Sequence, residues 1–151
     1  MNDSVLGPLR KGSRGEPLPN NGIHWSISHT IAYVAAVVAD RPIGIDVEGI
    51  KDLEPNVLKR IASEVEWSLG TGAIDYFSCR IWTAKEAVLK ANGVGLAGLS
   101  ECRVERVIDD VELGLSYGGE AWRASHFLAL DRHIVSVTET RRGVEWHYQE
   151  E

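Results

Sequence analysis

The chain has 151 residues, of which 44% are hydrophobic and 25% are charged, and its formal net charge at pH 7 is -6. This length and composition are typical of a single globular domain. The negative charge disfavours generic binding to nucleic acid or to an anionic membrane surface. Two cysteines, Cys79 and Cys102, are too few for a disulfide scaffold and indicate a reducing cytoplasm. The first residues lack the apolar stretch of a signal peptide, and the longest apolar run, residues 31–39, is too short to span a bilayer.

The first third of the chain is predicted to contain an arm and a hairpin. Residues 1–22, rich in Gly, Pro and Asn, predict an extended N-terminal arm, and residues 23–151 a single domain. Residues 23–30 alternate in polarity, which predicts a half-buried strand with Ile23, Trp25 and Ile27 facing inward. Residues 31–39 are apolar on both faces, which indicates a central strand or a short helix. After a turn at residues 40–42, residues 43–48 are predicted to be the partner strand of a hairpin.

The middle of the chain is predicted to be helical and the end to be β-structure. Glu54-Pro55 indicates a helix start, and Ser63 with Glu66 has the spacing of a capping box. The strongest helix is predicted over residues 73–91. Further strands are predicted at residues 103–108, 111–117, 121–130, 133–139 and 144–148, separated by turn signals at 109–110, 118–119, 131–132 and 142–143. The predicted class is therefore α+β, with an antiparallel sheet, built from both sides of the helical region, packed against a long helix.

Two acidic residues lie two positions apart in the predicted strand 43–48. Because side chains alternate along a strand, Asp46 and Glu48 share one face, with Cα atoms about 6.5–7 Å apart. Carboxylates at that distance repel each other unless a cation lies between them, and hard oxygen ligands favour Mg²⁺. The alternative interpretation is an exposed sheet face that carries ordinary solvated acids.

Lys85 lies in the middle of the apolar stripe of the predicted helix. The stripe consists of Ile81, Trp82, Ala84, Val88 and Leu89. A buried lysine requires a carboxylate or carbonyl partner or loses its proton, unless its stem extends past the stripe to water. Glu86 and Lys90 lie at the edge of the stripe with i,i+4 spacing, which alone is typical of a surface ion pair. Beside Asp46 and Glu48 they predict a three-carboxylate cluster with an adjacent ammonium group, suited to a pyrophosphate.

The segment SISHT, residues 26–30, places hydroxyls, an imidazole and backbone N–H groups at a strand end. His29 is able to donate a hydrogen bond to a phosphate oxygen, although a single histidine in a turn is more often structural. The chain has no G-x-S-x-G motif, and Ser28 and His29 point to opposite sides of an extended chain, which argues against a Ser-His-Asp hydrolase. The cysteines and histidines show no paired spacing of the kind that zinc requires.

Four segments together resemble the 4'-phosphopantetheinyl transferase superfamily, in its surfactin-synthetase and enterobactin types. In chain order they are SISHT, IGIDVEGI, ASEVEW and IWTAKEAVLKANGVGL. The family signature is a G-I-D-x-E strand followed by a W-[ST]-x-K-E-[AS]-x-x-K helix. Both parts are complete here, in Gly44, Ile45, Asp46 and Glu48, and in Trp82, Thr83, Lys85, Glu86, Ala87 and Lys90. The resemblance implies the fold of that family.

The resemblance also implies an activity. The family transfers the 4'-phosphopantetheine arm of coenzyme A to a serine of an acyl or peptidyl carrier protein and releases 3',5'-ADP. By resemblance, Asp46, Glu48 and Glu86 bind Mg²⁺. Glu86 is then also the catalytic base, and Lys90 holds the phosphate and favours departure of the ADP. The remaining implied roles are contacts to coenzyme A by Ser28 and His29, and orientation of a metal carboxylate by Lys85.

Two departures from the family pattern keep other interpretations open. Larger members have two similar halves, and this chain carries the motifs of the second half, which implies a homo-oligomer or a partner that completes the site. Arg10, Lys11 and Arg14 are candidates for the 3'-phosphate contacts of the absent half. The G-[KR]-P loop that contacts coenzyme A reads Gly15-Glu16-Pro17. The alternatives are a truncated or degenerate module that binds coenzyme A or a carrier without turnover, and a plain structural domain.

Overall fold

The computed structural model describes residues 7–129 and 132–150. The elements in chain order are β1 (Arg10–Lys11), β2 (Pro17–Leu18), β3 (His24–His29), β4 (Val34–Ala39), β5 (Ile45–Gly49), α1 (Pro55–Ile61), α2 (Glu64–Trp67), α3 (Ile74–Ala91), β6 (Arg103–Val107), β7 (Glu112–Tyr117), β8 (Glu120–Ala129) and β9 (His133–Val137), with 3-10 helices at Leu96–Glu101 and Arg141–Gly143. The start of the predicted arm (residues 1–6), Asp131 of a predicted turn, Leu130 and Glu151 lie outside the described residues. From residue 7 the arm contains the small β1–β2 sheet, and its boundary at residue 22 stays a prediction.

A five-stranded antiparallel sheet, in the order β5-β9-β8-β7-β6, forms the centre of the molecule. On one face of the sheet, α3 packs its apolar stripe against strands β6 to β8. The buried residues of this core include Ile81, Ala84, Val88, Leu89, Val104, Leu113, Leu115 and Ala124. A second buried cluster contains Ile43, Ile45, Val47, Val135 and Val137, with residues of β4 packed against it. The predicted α+β class, with strands from both sides of the helical region, is confirmed.

The helix predicted over residues 73–91 forms as α3, and it lies unusually close to β5. A Cβ atom on Gly44 would come within 1.8 Å of the Ala87 carbonyl oxygen, so only glycine permits this approach. The close contact brings the acidic face of β5 against the last turns of α3. Among the described residues, no helix is both long and apolar enough to cross a membrane.

Two local helix signals are confirmed. The helix α1 begins at Pro55 with Glu54 at the N-cap, as the Glu-Pro pair predicts. Ser63 and Glu66 form a complete capping box at the start of α2. Both signals depend on residues within one turn of each other, so the sequence alone is enough to predict these hydrogen bonds and dihedral preferences.

The predicted hairpin between residues 31–39 and 43–48 is wrong. Instead, β4 pairs with β3 in a separate two-stranded sheet, and β5 pairs with β9, where Asp46 lies opposite Ser136. Nor is β4 a central strand, because its residues are alternately exposed and half-buried. Apolar patterning indicates which residues form strands, but the pairing of β5 with β9 joins segments distant in the chain, and no local pattern encodes it.

The predicted inward face of residues 23–30 is also wrong in part. Trp25 is buried, but Ile27 is 42% exposed, whereas Ser26 and Ser28 are only 1% and 8% exposed. The two serine hydroxyls accept hydrogen bonds from the N–H groups of Ile45 and Val47, at 3.1 and 3.3 Å. These hydroxyls provide hydrogen-bond acceptors for two backbone N–H groups on the outer edge of β5. The need to pair those N–H groups, rather than hydrophobicity, therefore decides which face of β3 turns inward.

The strand predicted at residues 144–148 does not form. After the 3-10 helix Arg141–Gly143 the segment has no regular secondary structure. Its Trp146 stacks on Phe127 of β8, with ring centroids 5.3 Å apart. The apolar alternation there reflects side-chain packing on the sheet and not a ladder of backbone hydrogen bonds.

A buried histidine makes the stability of the fold sensitive to acid. His126 is 7% exposed, and its Nδ1 lies 2.6 Å from Ser136 Oγ. Burial, together with the positive charge of Arg80, lowers the pKa of His126 from 6.5 to about 3. The unfolded chain therefore binds more protons between these values, and the free energy of unfolding falls by roughly 1 kcal/mol for each pH unit below 6.5.

We expect His126→Asn to reduce this acid sensitivity, because asparagine keeps a polar group near Ser136 but does not take up the proton. The measurement is urea unfolding of the wild type and the variant at a series of pH values between neutrality and about pH 4. His147→Asn is the matched control, since the His147 side chain is 73% exposed. An identical pH slope in all three proteins would contradict the assignment.

Candidate active site

The acidic face of β5 meets α3 at Asp46. The Asp46 side chain is buried, and its Oδ1 accepts hydrogen bonds from Lys90 Nζ and from Ser28 Oγ, both at 2.8 Å. Lys90 also donates to the Ile45 carbonyl oxygen at 3.1 Å. Three predicted site residues, from β3, β5 and α3, are thus in direct contact.

Glu48 and Glu86 lie in the same electrostatic environment as Asp46. Glu48 is half-buried, and its Oε1 accepts a hydrogen bond from Trp82 Nε1 at 3.4 Å. Burial raises the pKa of Glu86 to about 7, and the negative charges of Asp46 and Glu48 add to the rise while Lys90 opposes it. Burial also raises the pKa of Asp46, in spite of the contact with Lys90. The negative charge of Glu48 therefore adds to the rise in pKa at both Asp46 and Glu86.

The carboxylates have the chemistry of a divalent cation site. Asp46 Oδ2 and Glu86 Oε1 are both buried and have no hydrogen-bond partner among the described residues. Unpaired buried carboxylate oxygens are unfavourable, and Mg²⁺ prefers such hard oxygen ligands. Within residues 7–129 and 132–150, no three His, Cys, Asp or Glu side chains already form a metal-ligating group. The donor types fit Mg²⁺, although the three carboxyl groups do not form a metal-ligating cluster in this arrangement of the described residues.

The surface ion pair considered for Glu86 and Lys90 is not among the ion pairs of the described residues. Lys90 reaches across to β5 and pairs with Asp46. One oxygen of Glu86 is left without a partner. Lys90 pairs with Asp46 rather than Glu86 because the chain approaches α3 closely at Gly44, which places the buried Asp46 carboxylate within reach of Lys90. The spacing of Glu86 and Lys90 is thus part of the candidate site and not of a solvated helix surface.

Lys85 is buried, as its place in the apolar stripe predicts. It is 2% exposed, its Nζ lies 2.6 Å from Glu66 Oε1, and it donates to the Ile61 carbonyl oxygen at 2.8 Å. The expectation that a buried lysine has a carboxylate or carbonyl partner is confirmed by both contacts. The expectation that Lys85 orients a metal carboxylate is wrong, since Glu66 on α2 lies outside the Asp46–Glu48–Glu86 set.

The sequence marked Glu66 only as a capping residue, yet it links three elements. Besides Lys85, its carboxylate accepts hydrogen bonds from the N–H groups of Ser63 and Val104, each at 2.8 Å. Burial alone would raise the pKa of Glu66, but the hydrogen bonds from Lys85, Ser63 and Val104 outweigh it and lower the pKa. The only local signal for this role is its place in the EVEW segment, because Lys85 and Val104 are far away in the chain.

A cavity of about 380 Å³ lies next to Lys90, between the N-terminal segment and the end of α3. Gly15 and Pro17, predicted to contact a ligand, line it together with Lys11 and Arg14. The Glu16 carboxylate is engaged locally, where it accepts a hydrogen bond from the Arg14 N–H at 2.9 Å. The cavity thus combines three cations with the loop that replaces the family's G-[KR]-P motif.

Ser28 and His29 are not part of this cavity. The Ser28 hydroxyl donates to Asp46 and accepts from the Val47 N–H, which makes it a support for the acidic strand. His29 is exposed on the opposite side of β3. The structure therefore unites Gly15, Pro17 and Lys90 around one cavity, places Ser28 beneath Asp46, and sets His29 apart.

The fold and the site define a class of protein. An α+β domain with buried carboxylates, an ammonium group beside them and a basic cavity is suited to a phosphorylated ligand held through a cation. The sequence model of the 4'-phosphopantetheinyl transferase superfamily matches residues 42–144, a span that begins before β5 and ends beyond β9. The chain belongs to this superfamily.

Curated relatives are longer than this chain. It is 31% identical over 152 residues to the 4'-phosphopantetheinyl transferase HetI of Nostoc sp., covering 90% of this chain and 63% of the relative. It is 29% identical over 101 residues to the 4'-phosphopantetheinyl transferase gsp of Aneurinibacillus migulanus, covering 63% and 41%. It is 35% identical over 79 residues to the 4'-phosphopantetheinyl transferase Sfp of Bacillus subtilis, covering 49% and 35%. The chain thus spans between 35% and 63% of the length of these relatives.

Proposed function

We propose that this chain transfers the 4'-phosphopantetheine arm of coenzyme A to a serine of an acyl or peptidyl carrier protein, with Mg²⁺ as cofactor. The observation that supports this best is the contact between β5 and α3. There, Lys90 pairs with the buried Asp46, and one oxygen each of Asp46 and Glu86 has no partner among the described residues. Membership of the superfamily supports the class of reaction. By the same proposal, the chain acts in the cytoplasm.

In the proposed reaction, the serine oxygen forms a bond to the phosphorus that carries the arm, and the bond from that phosphorus to 3',5'-ADP breaks. Asp46, Glu48 and Glu86 would hold Mg²⁺, which when bound neutralises charge on the pyrophosphate. Glu86 would also accept the serine proton, directly or through water, as the general base. The Lys90 ammonium group neutralises the phosphate that departs with the ADP.

The cavity beside Lys90 is the proposed site for coenzyme A. Gly15, Glu16 and Pro17 line its wall, and Lys11 and Arg14 would supply positive charge for the 3'-phosphate. These residues would substitute for contacts that longer relatives have room to make elsewhere in their chains. We also propose that a second copy of the chain or a separate partner completes the site.

We expect Lys11→Ala and Arg14→Ala each to weaken coenzyme A binding by about tenfold or more, the usual effect of losing a charge-assisted hydrogen bond. Dephospho-coenzyme A, which lacks the 3'-phosphate, is expected to bind almost equally well to wild type and variants. Calorimetry with Mg²⁺ present measures both ligands. Arg10, the third candidate from the sequence, is the neighbour of Lys11 in β1 but does not line the cavity, so Arg10→Ala is the matched control. Equal losses with both ligands would place the 3'-phosphate elsewhere.

The transfer itself is tested by incubating the chain with coenzyme A, Mg²⁺ and several apo carrier proteins. The expected result is a carrier whose mass has increased by one phosphopantetheine arm, together with release of 3',5'-ADP, both abolished by a metal chelator. No mass increase on any carrier would contradict the proposed activity. Binding of coenzyme A that requires Mg²⁺ but yields no 3',5'-ADP would identify the module without turnover instead.

A further inference from the structure

A buried hydroxyl group on α3 joins this helix to the sheet. Thr83 is 0% exposed, and its Oγ1 lies 2.6 Å from Ser136 Oγ on β9. Ser136 is also 0% exposed, and its Oγ lies 2.6 Å from His126 Nδ1 on β8. In the sheet, Ser136 lies opposite both Asp46 and His126, and side chains that lie opposite each other share one face. The bond from α3 to the sheet therefore lies in the same cross-strand row as Asp46.

The protons of this hydrogen-bond chain run in one direction. Thr83 Oγ1 lies 2.8 Å from the Cys79 carbonyl oxygen, which only accepts, so the Thr83 proton points there. Without that proton the two oxygens would repel each other. Because each hydroxyl group has one proton, Ser136 donates to Thr83 and accepts from His126 Nδ1. Since the pKa of His126 is about 3, its ring is neutral near neutral pH and carries its single proton on Nδ1.

Glu86 lies between two contacts that fix α3 on the sheet. Thr83 and Lys90 have i,i+7 spacing and lie on one side of the helix, and Glu86 is between them in the chain. Lys90 is held on β5 by its own bonds to Asp46 and to the Ile45 carbonyl oxygen. Glu86 Oε1, in contrast, has no hydrogen-bond partner among the described residues. The position of the Glu86 carboxyl group therefore depends on how the helix itself is held.

We propose that Thr83 is a positioning residue for Glu86. Its bond to Ser136 holds α3 against β9 at the level of Asp46, and this sets the position of the Glu86 carboxyl group relative to the acids of β5. The inference rests on the proposed function, in which Glu86 accepts the proton of the carrier serine. A base acts only from the correct distance, and a displacement of about 1 Å can cost about a hundredfold in rate.

Thr83→Val tests this role, because it removes the hydroxyl group and keeps nearly the same shape. We expect kcat for transfer to fall by about tenfold or more, with little change in KM for coenzyme A, since Thr83 does not line the basic cavity. Thr83→Ser keeps the hydroxyl group and is expected to restore most of the rate. Ser78→Ala is the matched control: Ser78 is also buried on α3, but its hydroxyl donates within the helix, to the Asp75 carbonyl oxygen at 3.0 Å.

Two results would overturn the positioning role. One is a folded Thr83→Val protein with the kcat of the wild type, and the other is a loss of rate that Thr83→Ser does not restore. Ser136→Ala removes the same bond from the side of the sheet, so it replaces Thr83→Val if that variant does not fold, and it is expected to show the same loss in kcat. Urea unfolding of each variant separates this loss from a loss of stability.

NMR spectra of the histidine ring nitrogens test the hydrogen-bond chain in the wild type without any assay of activity. We expect His126 to carry its proton on Nδ1. A proton on Nε2 alone would leave the oxygens of Thr83 and Cys79 without a proton between them, which would overturn the geometry on which the positioning depends.

Failure of this inference is distinguishable from failure of the proposed function. A wild type that transfers the arm no better than Thr83→Val removes only the role of Thr83. A wild type that transfers nothing to any carrier protein contradicts the proposed function, and the positioning role is then overturned with it.

Discussion

Glu86→Gln is expected to abolish transfer of the phosphopantetheine arm while the free energy of unfolding stays nearly unchanged. Glutamine has almost the same shape but does not accept the serine proton, and loss of a general base costs about 10²–10⁴ in rate. The fold tolerates the change because Glu86 Oε1 has no partner among the described residues and burial already disfavours its charge. The two measurements are the mass of the carrier protein over time and urea unfolding of the variant.

Glu101→Gln is the matched control for this variant. Glu101 is exposed at the end of the 3-10 helix that follows α3, and its replacement is expected to leave transfer unchanged. A Glu86→Gln protein that transfers within a factor of about ten of the wild type would remove Glu86 as the base. A variant that unfolds would show instead that Glu86 is required for the fold.

Lys85→Met is expected to lower the free energy of unfolding by about 3–5 kcal/mol, the usual cost of leaving one member of a buried ion pair without its partner. This is a large share of the roughly 5–15 kcal/mol that stabilises a typical domain. Glu66, which is 5% exposed, would keep its hydrogen bonds from Ser63 and Val104 but lose its ion pair with Lys85. Urea unfolding at neutral pH measures the loss.

Two further proteins separate the ion pair from general effects of the substitution. Lys59→Met, at an exposed position of α1, is expected to change stability little. Lys85→Met combined with Glu66→Gln is expected to recover part of the loss, because no charge is then left buried. A loss below about 1 kcal/mol in the single variant would contradict the assigned role.

Acid is expected to shrink the difference between wild type and Lys85→Met. The fold lowers the pKa of Glu66, so the stability that the pair contributes is present above the ordinary pKa of 4.5 and is lost as the pH falls through the lower folded value. In the variant the carboxyl group takes up its proton more readily, which removes the buried charge. Unfolding curves at falling pH are therefore expected to converge.

Much of the candidate site was predictable because its residues lie within short, periodic segments. Alternation along β5 places Asp46 and Glu48 on one face, and the 3.6-residue period of α3 places Lys85 within the apolar stripe. The pairing of strands was not predictable in this way. The apolar run 31–39 suits a central strand as well as an edge strand, and only the position of β9 beside β5 decides between them.

The amino-acid sequence by itself determined the α+β class, the capping box at Ser63, the burial of Lys85 and the shared face of the two β5 acids, because each depends on neighbours within a few residues. Only the tertiary structure decided that Lys90 pairs with Asp46, that Lys85 pairs with Glu66, and that the serines of β3 turn inward to the edge of β5. Each of these choices joins elements far apart in the chain. A side chain pairs with the partner that packing brings within reach, and the spacing of residues along one helix or strand does not predict which residue that partner is.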